Sequence, residues 1–417
     1  MIALFSILAL SCAAGSKPNS PPPPQVYFTL LDASGASKVV TVQAIDGETI
    51  STTDFDGRRR NEPLSTVILL SRAMIQPPQM PRFSTVSAED ALHTPRGVLH
   101  TVDGQIVAGS LTDGGKPEEI MWQSPVVGTL RVPLEMLRRL DCVYPPSAMN
   151  AQAKFSKDTL MLRNGDVIGG FVDSIGELIT IETGTAATKS RMTVPMGRVE
   201  AVVLAQAAVA SRGTIVTTRE GLVVQIQSMQ IQDRAVRGKV TLRAERDPLV
   251  LQDVDVESLV IDAARVLPLS QCSVHDVAGT DGRGWTQPLA FHQAQRGSFA
   301  TELEFPGPMR VDFDVPKGAT RLLFHAELPH SCRTWGDPEL VVSAGDGTTF
   351  KELKRISLTG DAPEADANLE IGGASVLRFS VEAGAAGAIQ DRVTLRRAMI
   401  LFGSSGRGDG KNPVPNQ

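Results

Sequence analysis

The sequence predicts an all-β protein, an array of about four small β-barrel or meander modules followed by a jelly-roll β-sandwich. The first observation is a pattern that occurs twice, at 98–109 and again at 160–170. In both copies an alternating apolar segment enters a turn, Asp103-Gly104 or Asn164-Gly165, and a second such segment follows. These dipeptides between period-two runs indicate hairpins, because they tolerate the positive φ that tight hairpin turns require. The repetition itself predicts an array of compact modules.

Composition supports this class and excludes others. The chain has 417 residues, only 5% of them aromatic, with 37 Gly and 27 Pro. A length prior of about 100–200 residues per domain predicts several domains. The 41 basic and 46 acidic residues give a net charge of −5. Since no basic stripe accompanies this balance, nucleic acid is not an expected partner.

The N-terminus predicts export. An apolar run at 1–10 precedes small residues, which is typical of a signal peptide, assigned here to residues 1–14. The Pro-rich segment 15–26 then reads as a stiff linker. The expected location is periplasmic, cell-surface or extracellular. Membrane attachment is expected only if Cys12 carries a lipid.

Four modules follow the linker. Their assigned ranges are 27–75, 87–146, 151–207 and 211–265. The first has a hairpin at Asp46-Gly47, and the second and third close with matching phrases at 131–137 and 193–199, each containing a proline. Helix is expected only in short turns such as 88–92.

The fourth module is a more divergent repeat, and its closing phrase lacks proline. In this phrase Asp253, Asp255 and Glu257 alternate with apolar residues, which predicts that they share one strand face. Two interpretations remain open, a solvated outer face and a ladder that binds a structural calcium ion. No other cofactor is expected.

The hairpin and closing phrases of the second and third modules resemble the small SH3-like or Sm-like barrels found in exported planctomycete-type bacterial proteins. The first and fourth modules share the resemblance loosely. It implies an architecture only, since such barrels have no common catalytic residues.

From residue 268 to 402 the strands lengthen, and a Gly/Ser-rich tail at 403–417 is expected to be disordered. The alternation predicts two strands joined at Pro316-Lys317-Gly318, a third at 339–347 that turns into 350–353, and two more at 374–383 and 391–401. Asp361, Glu364, Asp366 and Glu370 are interpreted as a solvated loop set. Antiparallel strands with long returns are typical of a jelly roll.

Several phrases of this region occur in the order of a known family. They are 313–316, 321–326, 340–347, 373–381 and 391–398. The series resembles the NPCBM family, a carbohydrate-binding-type jelly-roll module associated with glycoside hydrolases. The resemblance implies a sandwich fold and glycans or cell-surface polysaccharide as partners.

Tryptophan marks the candidate carbohydrate site. An exposed aromatic ring stacks on the apolar face of a sugar, while charged or amide groups bind its hydroxyls. Trp285 and Trp335 are the aromatic candidates, and Arg333, Asp337 and His330 lie near Trp335 in sequence. The alternative is that both tryptophans pack in the core or in loops.

The remaining chemistry-bearing residues give weaker signals. Cys142, Cys272 and Cys332 form one disulfide with an unspecified pairing or remain three isolated thiols. No zinc spacing and no P-loop, GxSxG or HExxH motif occurs, so no catalytic or metal-binding residue is assigned. The sequence therefore predicts an exported, non-catalytic envelope or extracellular protein that presents a carbohydrate-binding module. The alternatives are a structural scaffold that contacts envelope proteins and a β-fold glycoside hydrolase.

Overall fold

The computed structural model confirms the all-β expectation. It describes residues 25–73, 96–112, 116–143, 156–184, 188–207, 209–244, 247–279, 290–292, 302–385 and 387–403. Within these ranges the regular elements are β-strands and single 3₁₀ turns, and no α-helix occurs. None of the described elements is therefore a helix long and apolar enough to cross a membrane.

Each of the four N-terminal modules has five antiparallel strands with a 3₁₀ turn between the fourth and the fifth. The first consists of β1 (Phe28–Asp32), β2 (Ser37–Ile45), β3 (Thr49–Asp54), β4 (Arg59–Pro63), the turn Leu64–Thr66 and β5 (Val67–Arg72). The second consists of β6 (Gly97–Thr101), β7 (Ile106–Thr112), β8 (Glu119–Ser124), β9 (Gly128–Pro133), the turn Leu134–Met136 and β10 (Leu137–Asp141). The fifth strand pairs with the first.

The other two modules repeat this order. The third consists of β11 (Asp158–Leu162), β12 (Val167–Ser174), β13 (Leu178–Thr183), β14 (Ser190–Pro195), the turn Met196–Arg198 and β15 (Val199–Val203). The fourth consists of β16 (Thr214–Thr218), β17 (Val223–Gln232), β18 (Ala235–Val240), β19 (Leu249–Gln252), the turn Asp253–Asp255 and β20 (Val256–Val260).

One glycine occupies the same turn position in every module. Gly104 and Gly165 have φ values of +86° and +89°, as the hairpin signals predicted. The equivalent residues of the first and fourth modules are Gly35 and Gly221, with φ values of +81° and +88°. Each glycine N–H donates to the carbonyl three residues earlier, at 2.9–3.2 Å. Glycine is favoured here because L side chains rarely adopt this conformation.

The closing phrase forms the 3₁₀ turn and the fifth strand. Pro133 and Pro195 end the fourth strand of their modules, and the chain turns immediately after them. In the fourth module the turn begins at Asp253, so the prediction that Asp253, Asp255 and Glu257 share a strand face is wrong. The alternation fails because Asp253 and Asp255 lie in a 3₁₀ turn, where side chains follow a period near three. The Asp253 carboxylate is bound by the Arg234 guanidinium at 2.9 Å.

The modules associate in nested pairs through their fifth strands. β10 pairs with β15, which joins the second module to the third, and β5 pairs with β20, which joins the first to the fourth. Single antiparallel bridges join β17 to β7 and β17 to β2. One hydrophobic core cluster consequently extends from Val26 to Ile261.

The C-terminal part is a two-layered sandwich. One sheet has the order β23 (Ala290–His292), β24 (Glu302–Pro306), β31 (Arg392–Phe402), β26 (Ala319–Glu327) and β29 (Glu364–Glu370), with β21 (Val266–Pro268) also on β31. The other has the order β22 (Val274–Gly279), β25 (Met309–Asp314), β30 (Val376–Glu382), β27 (Glu339–Gly345) and β28 (Phe350–Ser357). Phe305, Phe313 and Phe324 pack around Phe379 with ring centroids 5.7–5.8 Å apart.

Strand prediction in this part was accurate where apolar residues alternate. The turn at Pro316-Lys317-Gly318 and the strands at 339–345, 350–357, 376–382 and 392–402 are present. The interpretation of Glu364, Asp366 and Glu370 as loop residues is wrong, because they lie on β29 and point away from the sandwich core. Only Asp361 is in a loop. The small Ala365 and Ala367 fill the inner face of β29, so its apolar pattern is weak.

The sandwich rests on the module array through an apolar contact. Leu323, Met399 and Leu401 on its outer face pack against a group from the first and fourth modules and the segment that follows them: Ile68, Leu69, Ile215, Val223, Val260, Ala263 and Val266. Asn368 also donates from Nδ2 to the Gly35 carbonyl at 3.1 Å. The proposed signal peptide with Cys12, the Pro-rich linker up to residue 24, segment 88–92, Trp285 and the tail after Gly403 lie outside the described residues.

Candidate functional site

Trp335 stands on the loop that crosses from one sheet of the sandwich to the other. This loop, residues 328–338, follows β26 and leads into β27. It begins with a 3₁₀ turn at His330–Cys332. The Trp335 side chain is 64% exposed. It is therefore not a core tryptophan, unlike Trp122 of the second module, which is buried and donates from Nε1 to the Val107 carbonyl.

The backbone around Trp335 is fixed by a short network. The N–H groups of Trp335 and Gly336 both donate to the Cys332 carbonyl, at 3.3 and 2.8 Å. Cys332, whose side chain is buried, donates in turn to the Pro329 carbonyl at 2.8 Å. The exposed indole is thus carried on an ordered support, which lowers the entropy lost when a ligand binds it.

Two glycines allow neighbouring loops to approach the loop 328–338 closely. A Cβ on Gly336 would lie 2.6 Å from the Gln390 carbonyl oxygen, and one on Gly360 would lie 2.5 Å from that of Arg333. Such distances leave no room for a side chain. The loop 328–338 therefore packs directly against the loops before β29 and before β31.

Arg333 is engaged in holding the loop. Its Nε donates to the Leu328 carbonyl at 3.2 Å, and its Nη2 lies 3.3 Å from Glu327 and 3.4 Å from Glu364. This network extends through Glu364 to His325, whose Nε2 lies 3.7 Å from Glu364 and whose Nδ1 lies 3.0 Å from Asp366. The guanidinium is only partly exposed, so a ligand would reach one side of it.

Asp337 points inward, toward a second carboxylate. Its backbone N–H donates to Oδ1 of Asp391 at 3.2 Å, and a Cβ on Gly384 would lie 2.4 Å from the Asp337 Oδ1. Asp391 is buried, and its Oδ2 has no hydrogen-bond partner among the described residues. Burial raises the pKa of Asp391, and the charge of Asp337 adds to this effect, whereas backbone N–H donors lower it.

The structure therefore separates the sequence candidates. His330 and Trp335 are exposed on the same loop, Arg333 is half-buried, and Asp337 faces inward. Trp285 lies outside the described residues. A further apolar side chain, Ile389, is exposed on the adjacent loop and was missed because no pattern marks it.

Sequence reasoning also missed an arginine site on the outer face of the other sheet. Arg378 binds both oxygens of Asp312, at 2.8 and 2.7 Å, and its guanidinium lies 3.6 Å from the centroid of the Phe350 ring. The three residues come from β25, β28 and β30. Only strand register brings them together, which the sequence does not reveal.

Cysteine and histidine clusters do not form a metal or nucleophile site in the described part of the chain. Cys142, Cys272 and Cys332 form no disulfide bond with one another. Burial raises the pKa of Cys142 to about 12, which leaves it protonated and unreactive at neutral pH. Among the described residues, no group of three His, Cys, Asp or Glu is placed to hold a metal ion.

Comparison with known proteins gives remote similarities only. No family model and no curated protein matches the chain. A CBM51 module of a Clostridium perfringens GH95 protein, solved with methyl-galactose, is 13% identical, covering 32% of this chain and 99% of that one, with a TM-score of 0.26. The tandem CBM51 modules of a family 98 glycoside hydrolase from Streptococcus pneumoniae are 11% identical over 62% of this chain and 92% of that one, with a TM-score of 0.26. A CBM29-2 mutant is 11% identical over 31% and 86%, with a TM-score of 0.20.

These scores are too low to support conclusions about sites or ligands. The structure of this chain itself establishes its architecture, which is four five-stranded β modules followed by a β-sandwich.

Proposed function

We propose that this protein is an exported, non-catalytic glycan-binding protein, in which the module array carries a C-terminal sandwich that binds sugar through Trp335. The observation that carries the proposal is the exposed indole on an ordered loop at one end of the sandwich. Loops at the end of a β-sandwich carry recognition, while its strands carry the fold.

The neighbouring groups suit a carbohydrate ligand. An indole face packs against the C–H face of a pyranose ring, and the ring hydroxyls need polar partners at its edge. His330 and the accessible side of Arg333 supply such partners within five residues of Trp335. Asp337, which faces inward, would act by holding the loop shape.

The test is a glycan array with the intact chain, followed by calorimetric titration of the sugars that bind. Trp335→Ala should remove about 1–3 kcal/mol of binding free energy, as expected for burial of a large apolar side chain. This corresponds to a roughly 5- to 150-fold weaker Kd. Binding that survives Trp335→Ala unchanged would refute the site, and absence of binding to any glycan would refute the function.

Phe55→Ala is the matched control. Phe55 is an equally exposed aromatic residue in the first module, where it stacks on Tyr27 with a centroid separation of 5.1 Å. Its removal should leave sugar affinity unchanged, because it lies on the module array rather than on the loop end of the sandwich.

A structural scaffold is the second candidate function. It is favoured by the contacts of Arg333 and Asp337, both of which are used inside the protein rather than offered to a ligand. A chain that binds no glycan but keeps its fold would support this alternative.

A further inference from the structure

Strand β12 of the third module has an exposed apolar edge that its sister modules do not leave open. Val167 and Phe171, at 58% and 63% exposure, alternate with the partly buried Ile168 and Gly170. Along 167–170 this strand pairs with β11, and its pairing with β13 begins only at Phe171. Among the described residues, nothing pairs with the other edge of 167–170.

The same position is covered in the second and fourth modules. Counting from the turn glycine, Val167 corresponds to Ile106 and Val223. These two residues form an antiparallel bridge with each other, and Val223 is buried in the apolar contact with the sandwich. The array therefore already contains an association of two modules through this position of the second strand.

The first module has no large apolar side chain at this position. Its equivalent residue is Ser37, which is exposed and polar. The position of Phe171 shows the same contrast, because the other modules carry Thr41, Ser110 and Gln227 there. Among the described strands, the third module alone combines an open edge with two large exposed apolar side chains. Natural proteins avoid this arrangement unless the edge is used.

We propose that the β12 edge binds the β12 edge of a second copy of this chain, in antiparallel orientation with Val167 opposite the partner's Val167. The bridge between Ile106 and Val223 supplies the register, because these two residues occupy the same position of the second strand in their respective modules. A contact of a strand edge with itself closes on a two-fold axis and yields a dimer.

The internal contact also indicates the polar part of this interface. Next to the bridge, the Gln225 backbone N–H donates to Oε1 of Gln105 at 3.1 Å. The equivalent residues of the third module are Gly169 and Asp166, and the Asp166 side chain is exposed. In the dimer the Asp166 carboxylate accepts the N–H of the partner's Gly169, twice by symmetry.

The first experiment measures the mass of the full chain by sedimentation over a range of concentrations. The wild type should form a dimer, and Val167→Lys should raise the dimer dissociation constant about tenfold or more, because a charge on a strand edge opposes pairing. Leu178→Lys, at an exposed residue of β13 in the same module, is the matched control and should leave the constant unchanged. A wild type that stays monomeric up to about 200 μM, or a dimer insensitive to Val167→Lys, overturns the proposal.

A second variant fixes the register independently of stability. Val167→Cys should form a disulfide-linked dimer under mild oxidation, since directly opposite residues of antiparallel strands have Cα separations that a disulfide can span. Leu178→Cys should remain monomeric under the same conditions. The proposed register is contradicted if the two variants cross-link equally. It is also contradicted if Val167→Cys dimerises but forms no disulfide-linked dimer.

Discussion

Arg72 joins two modules that are distant in sequence. It ends β5 of the first module, and its guanidinium donates to the carbonyls of Asp253, Val254 and Val256 in the fourth, at 3.1, 2.6 and 3.1 Å. Burial lowers the pKa of Arg72, and nearby carboxylates oppose this effect. The side chain thus adds a charged donor to three carbonyls in and next to a 3₁₀ turn, of which that of Asp253 also accepts the Val256 N–H.

Replacement of Arg72 should therefore weaken the association of the first and fourth modules. We expect Arg72→Met to lower the free energy of unfolding by about 1–3 kcal/mol, the cost of losing hydrogen bonds made by a charged donor. Chemical denaturation followed by fluorescence measures this loss. Arg59→Met, at an exposed position of β4, should cost far less, and equal losses for the two variants would show that Arg72 makes no special contribution.

Asp391 should be a residue whose charge destabilises the fold. Because its pKa is raised in the folded state, folding disfavours the carboxylate. The penalty is present at neutral pH, declines as pH falls below the folded-state pKa and is gone below the unfolded-state pKa. Asp391→Asn removes the charge, keeps an acceptor for the Asp337 N–H and adds a donor at the position of Oδ2. We expect a higher Tm at pH 7 and a difference from wild type that vanishes near pH 3. A lower Tm at pH 7 would mean that the ionised group is needed.

At the level of elements, the turn glycines determine whether each module can form its first hairpin. A Cβ at Gly165 would meet no atom within 4 Å, and one at Gly104 would meet only Oγ of Ser211 at 3.5 Å. Replacement therefore costs backbone conformation rather than space. Gly104→Val and Gly165→Val should each destabilise the protein by about 1–3 kcal/mol, measured by thermal unfolding. Gly197→Val, also in open space but without a positive φ, is the control and should cost less.

Local patterns made several elements predictable from the sequence. The turns at Gly104 and Gly165 and the strands around Phe379 follow from dipeptides and alternation that act over a few residues. The 3₁₀ turn at Asp253 and strand β29 were missed because charged residues alternate in both, and alternation alone does not separate a turn from a strand. The pairing of β5 with β20 brings together residues almost 190 positions apart, and no local signal encodes it.

The candidate site was partly predictable for the same reason. A tryptophan among polar and turn residues indicates an exposed loop, and Trp335 is exposed. The inward direction of Asp337 depends on Gly384 and Asp391, which are close to it only in the folded structure.

The role of Trp335 in binding stays a prediction. Thermal unfolding tests the related expectation that Trp335 contributes little to the stability of the fold. Trp335→Ala should leave Tm nearly unchanged, whereas Trp122→Ala should cost about 3–5 kcal/mol as a core truncation.

At the level of the whole molecule, the array and the sandwich share an apolar contact that is separate from either core. Leu323 lies on the outer face of β26, while its neighbours Leu322 and Phe324 face the sandwich interior. Because Leu323 packs against residues of the first and fourth modules, it couples the two parts without supporting the inside of either. Unfolding of one part then exposes apolar surface on the other, which favours a common transition.

Leu323→Asp should uncouple them. A carboxylate in this contact is costly to bury, so the sandwich should separate from the array while each keeps its own core. Differential scanning calorimetry of the full chain should show one transition for the wild type and two for the variant, with the sum of their enthalpies below that of the wild type. Ile389→Asp, at an exposed loop residue of the sandwich, is the control and should retain one transition. A Leu323→Asp chain that still unfolds in one transition at the wild-type temperature would show that the apolar contact does not couple the two parts.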